Sequence, residues 1–177
     1  MSPERIFQTH LVFGYVAWLL AFGTYALPKL KSMDRVQAHR AIATLHSFRF
    51  FGLVFIVPGV VGPSLPASFA TFAAYGDFTT GILAILALLS IRIRPLFWGF
   101  VAAFNLVGIG ELIVDYYHAI QAGVPQHPGN LGLTYLITII YVPILMITHC
   151  VALYWLARPH AKAVKAVAPG ATHPRAD

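Results

Sequence analysis

The sequence predicts an all-α integral membrane bundle of five transmembrane helices, with the N-terminus outside and the C-terminus in the cytoplasm. Of its 177 residues, 58% are hydrophobic and only 10% are charged, whereas a soluble domain carries roughly 25% charged residues. Its long apolar runs approach the ~20 residues that a helix needs to cross the hydrocarbon. We therefore expect one transmembrane domain, residues 1–157, followed by a basic, disordered cytoplasmic tail, residues 158–177.

The first two predicted spans are residues 11–27 and a segment that begins near Ala41. We interpret the first as a retained span and not a signal peptide, because its positive charges follow the apolar run instead of preceding it. The second apolar run is ended by Pro58, which cannot continue a helix. To be long enough to cross, this span must start near Ala41.

The remaining predicted spans are residues 69–91, 96–120 and 133–156. Asp77 lies about a third of the way into the third span, and His149 lies in the latter half of the fifth. A charged side chain at membrane depth is costly and needs a partner or a water-filled cavity. Polar residues of these spans are therefore the first candidates for function.

Lys and Arg alternate along the connections between the spans. The segment 29–49 holds five, the turn 92–94 holds two and the tail four, whereas 62–68 and 119–130 hold none. Cytoplasmic connections carry the excess of positive residues. The pattern predicts the orientation stated above and a multi-pass protein of a bacterial-type inner membrane. It also explains the net charge of +6 without a nucleic-acid partner.

The fourth span carries a polar stripe on one helical face. At 100° per residue, Gly108, Glu111, Asp115 and His118 fall within about 80° of one another. Asn105 lies nearer the middle of the membrane. Such a stripe must face protein or water instead of lipid.

We expect Asp77, Glu111 and Asp115 to form an acidic cavity open to the outside, with Asn105 below it and His118 at its mouth. Neighbouring carboxylates in a low dielectric cannot all ionise, so at least one should hold a proton. A proton-coupled carrier and an acid–base enzyme both use such a group. The sequence therefore predicts binding or translocation of a proton or of a small cationic, amine-bearing or hydroxylated ligand. A hydrogen-bonded clamp between helices is the structural alternative.

His46, Arg49 and His149 are expected to form a second polar layer in the inner half of the membrane. Arg49 either extends to the cytoplasmic lipid headgroups or pairs with an acid or anionic ligand. His46 and His149 lie at similar depth on different spans, so they are also candidate axial ligands of a b-type haem, with Arg49 on a propionate. The protein would then carry electrons.

Two further possibilities remain open at this level. Glu111, Asp115 and His118 could ligate a catalytic metal, although no H-E-x-x-H motif or repeated histidine box supports this, and we predict no metal. The chain could also be a non-catalytic subunit of a larger membrane complex, or form a homodimer. Cys150 is the only cysteine, which excludes an intrachain disulfide.

Overall fold

The computed structural model describes residues 1–158, and these residues are helical with no strand among them. Helix α1 spans Pro3–Ser32 and includes a π-helical turn at Phe22–Ala26. Helix α2 spans Arg35–His46 and continues as a 3-10 segment, Ser47–Ile56. The last three helices are α3 (Ala67–Leu89), α4 (Arg94–Gln121) and α5 (Thr134–Ala157), and a short 3-10 turn, Pro128–Leu131, precedes α5.

Four of these helices, α1, α3, α4 and α5, are long and apolar enough to cross a membrane. The predicted all-helical fold is thus confirmed for the described residues, with four helices that could serve as spans by length and composition. The second predicted span corresponds to α2 with its 3-10 segment, which is not one long α-helix. The predicted tail, apart from Arg158, lies outside the described residues.

The change of winding after α2 follows the spacing of its buried residues. His46, Arg49, Gly52 and Phe55 are all buried, and they recur at every third position. Side chains three apart eclipse one another in a 3-10 helix, whereas an α-helix would rotate them progressively around its axis. The tighter winding therefore keeps Arg49 and its neighbours on the side that faces the bundle.

Helix α3 is the central element of the bundle. It packs against both the 3-10 segment and α4, while α5 contacts α4 and α1. Its buried face consists largely of small residues: Ala70, Ala73, Ala74, Gly81, Ala84 and Ala87. Small side chains let membrane helices approach closely. The third predicted span therefore packs closely on the fourth.

The two ends of the bundle differ in charge. At one end, the Gly62 amide donates to the Asn130 carbonyl at 2.8 Å, and Gln126 lies 3.4 Å from Glu4 near the N-terminus. At the other end, Arg35 donates to the carbonyl of Arg158 at 3.2 Å. This second end, which we call the basic end, contains the connections that carry Lys29, Lys31, Arg35, Arg92, Arg94 and Arg158.

Candidate functional site

Arg49 lies completely buried at the centre of the bundle. Its Nε donates to Asp77 Oδ1 on α3, and its Nη2 donates to Glu111 Oε2 on α4. Its Nη1 donates to His149 Nε2 on α5 at 3.2 Å and lies 3.4 Å from the Gly108 carbonyl. One guanidinium therefore joins the 3-10 segment to three helices.

The hydrogen bonds of His149 identify its protonation state. Nδ1 lies 2.9 Å from Asn105 Oδ1, and the Asn105 amide nitrogen donates to the Val101 carbonyl at 2.8 Å. Asn105 therefore offers an acceptor, which requires a proton on Nδ1 of His149. Because Nε2 accepts from Arg49, that imidazole is neutral.

His46 lies directly against His149. The two ring centroids are 3.9 Å apart with planes inclined at 33°. His46 Nε2 lies 3.0 Å from Thr148 Oγ1, and Thr148 donates its own proton to the Ile144 carbonyl at 2.8 Å. His46 is thus the donor to Thr148. The polar network consequently extends from Asp77 and Glu111 through Arg49 to the paired imidazoles.

Glycines provide the space for these polar side chains. A Cβ atom at Gly52 would lie 2.2 Å from the Asp77 side chain, and one at Gly76 would lie 2.3 Å from Glu111 Cγ. Both distances are far below van der Waals contact. The backbone approaches the carboxylates this closely only because glycine has no side chain.

The network contains more carboxyl groups than cations. Asp77 and Glu111 are only 8% and 6% exposed, and Asp115, one turn beyond Glu111, is half-buried. Arg49 is the one cation that pairs with them among the described residues. Glu111 Oε1 and Asp115 Oδ1 are buried without a hydrogen-bond partner. These two oxygens have no other donor in the described part of the chain, and the two carboxyl groups lie close enough to share one proton.

A groove of about 900 Å³ opens between α3 and α4, and Glu111 forms part of its wall. The α3 side of the groove carries a row of hydroxyl groups, from Ser68, Thr71, Tyr75 and Thr79. The α4 side contributes Gly110, which leaves the space open because a Cβ there would meet no other group. The groove therefore combines apolar walls, a row of hydroxyls and one carboxyl group.

The structure unites the two polar layers that the sequence predicted as separate. Of the two environments considered for Arg49, it shows pairing with acids and contradicts extension to the cytoplasmic headgroups. Asp77, Glu111, Asn105 and His149 all belong to the same network, directly or through one intermediate. The sequence assigned Asp77 and Glu111 to an outer layer and His149 to an inner one, and the buried Arg49 side chain joins the two.

His118 lies apart from this network. Its ring packs edge to face with Phe72, with centroids 5.0 Å apart, and it lines a smaller cavity of about 270 Å³ that adjoins the groove at Ser68. Among the described residues no group of three potential metal ligands comes together. The set Glu111, Asp115 and His118 is thus not assembled as a metal site.

The histidine pair does not fit a haem between its rings. Axial ligands approach the iron from opposite faces of the porphyrin, whereas the rings of His46 and His149 are in direct contact. Both nitrogens of His149 are already bound to Asn105 and Arg49. As placed here, these two residues do not fit a haem held between them.

Several residues of the site were not predicted from the sequence. Thr148 was missed because a threonine in an apolar helix gives no signal by itself. Gly52 was not predicted as a contact residue either, although the three-residue spacing of His46, Arg49 and Gly52 could have indicated a 3-10 segment.

Comparison with known proteins identifies the family of the chain. No curated protein and no solved structure matches the chain significantly. The model of a family described as a domain of unknown function (DUF8737) matches residues 6–157, a range that contains every residue of the network. The chain therefore belongs to this family of unknown function, DUF8737.

Proposed function

We propose that this membrane protein binds a small ligand or a proton at Glu111, in the groove between α3 and α4, and that it moves this species or responds to it. The observation that carries the proposal is the unpartnered, buried Oε1 of Glu111 in the wall of a 900 Å³ groove. A carboxyl group that served only to hold helices together would have both oxygens satisfied.

The charges favour a proton as one bound species. If Asp77, Glu111 and Asp115 were all ionised, Arg49 would compensate only one of three negative charges. An uncompensated charge in a low-dielectric interior is very costly. A proton shared between Glu111 and Asp115 would supply the donor that their free oxygens lack, so we assign these two carboxyl groups as the proton-holding pair.

The groove favours a small cationic or hydroxylated molecule as the alternative ligand. Its volume lies in the range of small-molecule sites, roughly 300–1,000 Å³. A cation would pair with Glu111, and the hydroxyls of Thr71, Tyr75 and Thr79 would bind polar groups along the ligand. Arg49, which is itself paired with Asp77, holds Glu111 in position.

We further propose the five-span topology with the N-terminus outside. From Ala41, the last six residues of α2 rise about 9 Å and the ten residues of the 3-10 segment rise about 20 Å. Together they rise about 29 Å, close to the thickness of the hydrocarbon, ~30 Å. The basic end would then face the cytoplasm of a bacterial-type inner membrane. A homodimer or a larger complex remains compatible with this arrangement.

The proposal is tested with variants of the groove in detergent and in liposomes. Glu111→Gln removes the charge, and Gly110→Leu fills the groove where no other group is near. Gly99→Leu is the matched control, because Gly99 lies on the same helix, also has open space and does not line the groove. Small molecules retained through purification are identified by mass spectrometry, and proton movement is followed with a pH indicator inside liposomes.

We expect a retained small molecule, a proton flux, or both, in the unchanged protein and in Gly99→Leu. Glu111→Gln and Gly110→Leu should each lose the retained molecule, and Glu111→Gln should lose the flux. If Glu111→Gln kept the unchanged protein's behaviour, the network would be a structural clamp. A protein that neither retains a molecule nor moves protons but co-purifies with a fixed partner would instead be a subunit of a complex.

A further inference from the structure

A second cavity, of about 500 Å³, lies between α1, α2 and α5 at the basic end of the bundle. It is separate from the groove between α3 and α4, and the two share no lining residue. Most of its walls are aliphatic or aromatic, with four exceptions that carry polar atoms: Trp18, Lys29, Tyr141 and Thr148.

Three of these four polar side chains are satisfied by the protein itself. Trp18 Nε1 donates to the Ile140 carbonyl at 2.7 Å, and the Tyr141 hydroxyl donates to the Leu45 carbonyl at 3.0 Å. Thr148 likewise donates to a carbonyl of its own helix, and its oxygen accepts from a histidine. The interior of the cavity therefore offers no free donor to a ligand.

Lys29 is the exception. It is exposed, it lines the cavity, and no acidic residue in the described part of the chain pairs with it. A cavity with apolar walls and one unpaired ammonium group is complementary to a molecule with an apolar chain and an anionic head. The volume again lies within the range of ligand sites, roughly 300–1,000 Å³.

We propose that this cavity binds one acyl chain of an anionic phospholipid, whose headgroup phosphate pairs with Lys29. The position at the basic end supports a phospholipid, because clustered Lys and Arg near the membrane surface attract anionic headgroups. The acyl chain contacts the aliphatic walls formed by residues such as Leu30 and Ile144. This site does not depend on the function proposed for Glu111.

The experiment measures lipid binding to the delipidated, detergent-purified protein by native mass spectrometry. The lipids are phosphatidylglycerol, zwitterionic phosphatidylcholine and, as a free anionic chain, oleate. Lys29→Gln is compared with Lys31→Gln, which removes the same charge two residues away on the same helix but outside the cavity. Ala26→Phe places a ring where Ala26 lines the cavity, and its melting temperature shows whether it is folded.

We expect one phosphatidylglycerol per chain, bound more tightly than phosphatidylcholine. Lys29→Gln should weaken the binding of phosphatidylglycerol by about five-fold, because one basic residue near a membrane surface contributes ~1 kcal/mol. Lys31→Gln should leave this binding unchanged. The folded Ala26→Phe variant should no longer bind phosphatidylglycerol. Equal losses in Lys29→Gln and Lys31→Gln, equal binding of phosphatidylcholine, or preferential binding of oleate would each overturn the proposal.

Discussion

Gly108 on α4 lies against His149 on α5 and leaves no room for a side chain. A Cβ atom at Gly108 would be 2.4 Å from His149 Nε2 and 2.7 Å from Arg49 Nη1, the two atoms that form the hydrogen bond between imidazole and guanidinium. The Gly108 carbonyl also lies 3.4 Å from Arg49 Nη1. This glycine therefore allows three elements of the bundle to meet at one point.

Gly108→Ala should destabilise the protein by separating Arg49 from His149. Overpacking a well-packed interior costs about 1–3 kcal/mol, so we expect a lower melting temperature in detergent. Gly110→Ala is the control, two residues along the same helix with open space around its Cβ; it should be neutral or slightly stabilising. Equal melting temperatures for the two variants would show that Gly108 is not a close contact.

Removing the central cation, Arg49, should destabilise the protein more than removing Arg49, Asp77 and Glu111 together. Arg49→Met leaves Asp77 and Glu111 buried without their counter-charge, which costs about 3–5 kcal/mol for a broken buried pair. The triple variant Arg49→Met, Asp77→Asn, Glu111→Gln has no buried charge left among these three, so it should recover much of the lost stability. Thermal unfolding in detergent measures both.

Arg40→Met provides the matched control for this series, because Arg40 is an exposed arginine of α2. It should melt close to the unchanged protein. If Arg49→Met melted no lower than the triple variant, the ion pairs would contribute little to the cost and the loss would come from the side-chain volume alone.

Added haem should not form a low-spin complex with two histidine ligands. The rings of His46 and His149 are in contact, and His149 uses both nitrogens within the protein. We therefore expect no α-band typical of bis-histidine haem when haem b is titrated into the purified protein. A low-spin spectrum that disappears in both His46→Ala and His149→Ala would show that the pair can open around an iron.

The helices that carry the polar residues could be predicted from the sequence, whereas the directions of the side chains could not. Hydropathy places Asp77, Glu111 and His149 on three long apolar helices, and the structure has them there. Whether Arg49 extends along its helix to the surface or points inward depends on the rotation of the 3-10 segment. The three-residue spacing of His46, Arg49 and Gly52 indicates the winding of this segment, but its rotation is set by packing against α3.

His118 shows the limit of the helical-face argument. It shares the stripe of Glu111 and Asp115 in a helical projection, yet its ring packs against Phe72 of α3. Glu111 lies beside Gly76 of the same helix and reaches Arg49. A shared face on one helix therefore predicts the neighbouring helix, but not which side chain is met on it.

His39 should make the stability of the protein depend on pH below neutrality. It lies just before the proposed second span, completely buried, with its ring edge-on to Trp98 and Trp155 and both nitrogens unpaired. Burial and the nearby Arg35 guanidinium lower the pKa of His39 to about 4, against about 6.5 in an unfolded chain. Between these values the unfolded state binds a proton that the folded state does not, so the free energy of unfolding falls as pH decreases from 6.5 to 4, by about 3 kcal/mol in total.

His39→Phe keeps a ring between the indoles and should lose this part of the pH dependence in melting curves recorded from pH 7 to pH 4. An identical decline in both proteins would show that another group is responsible.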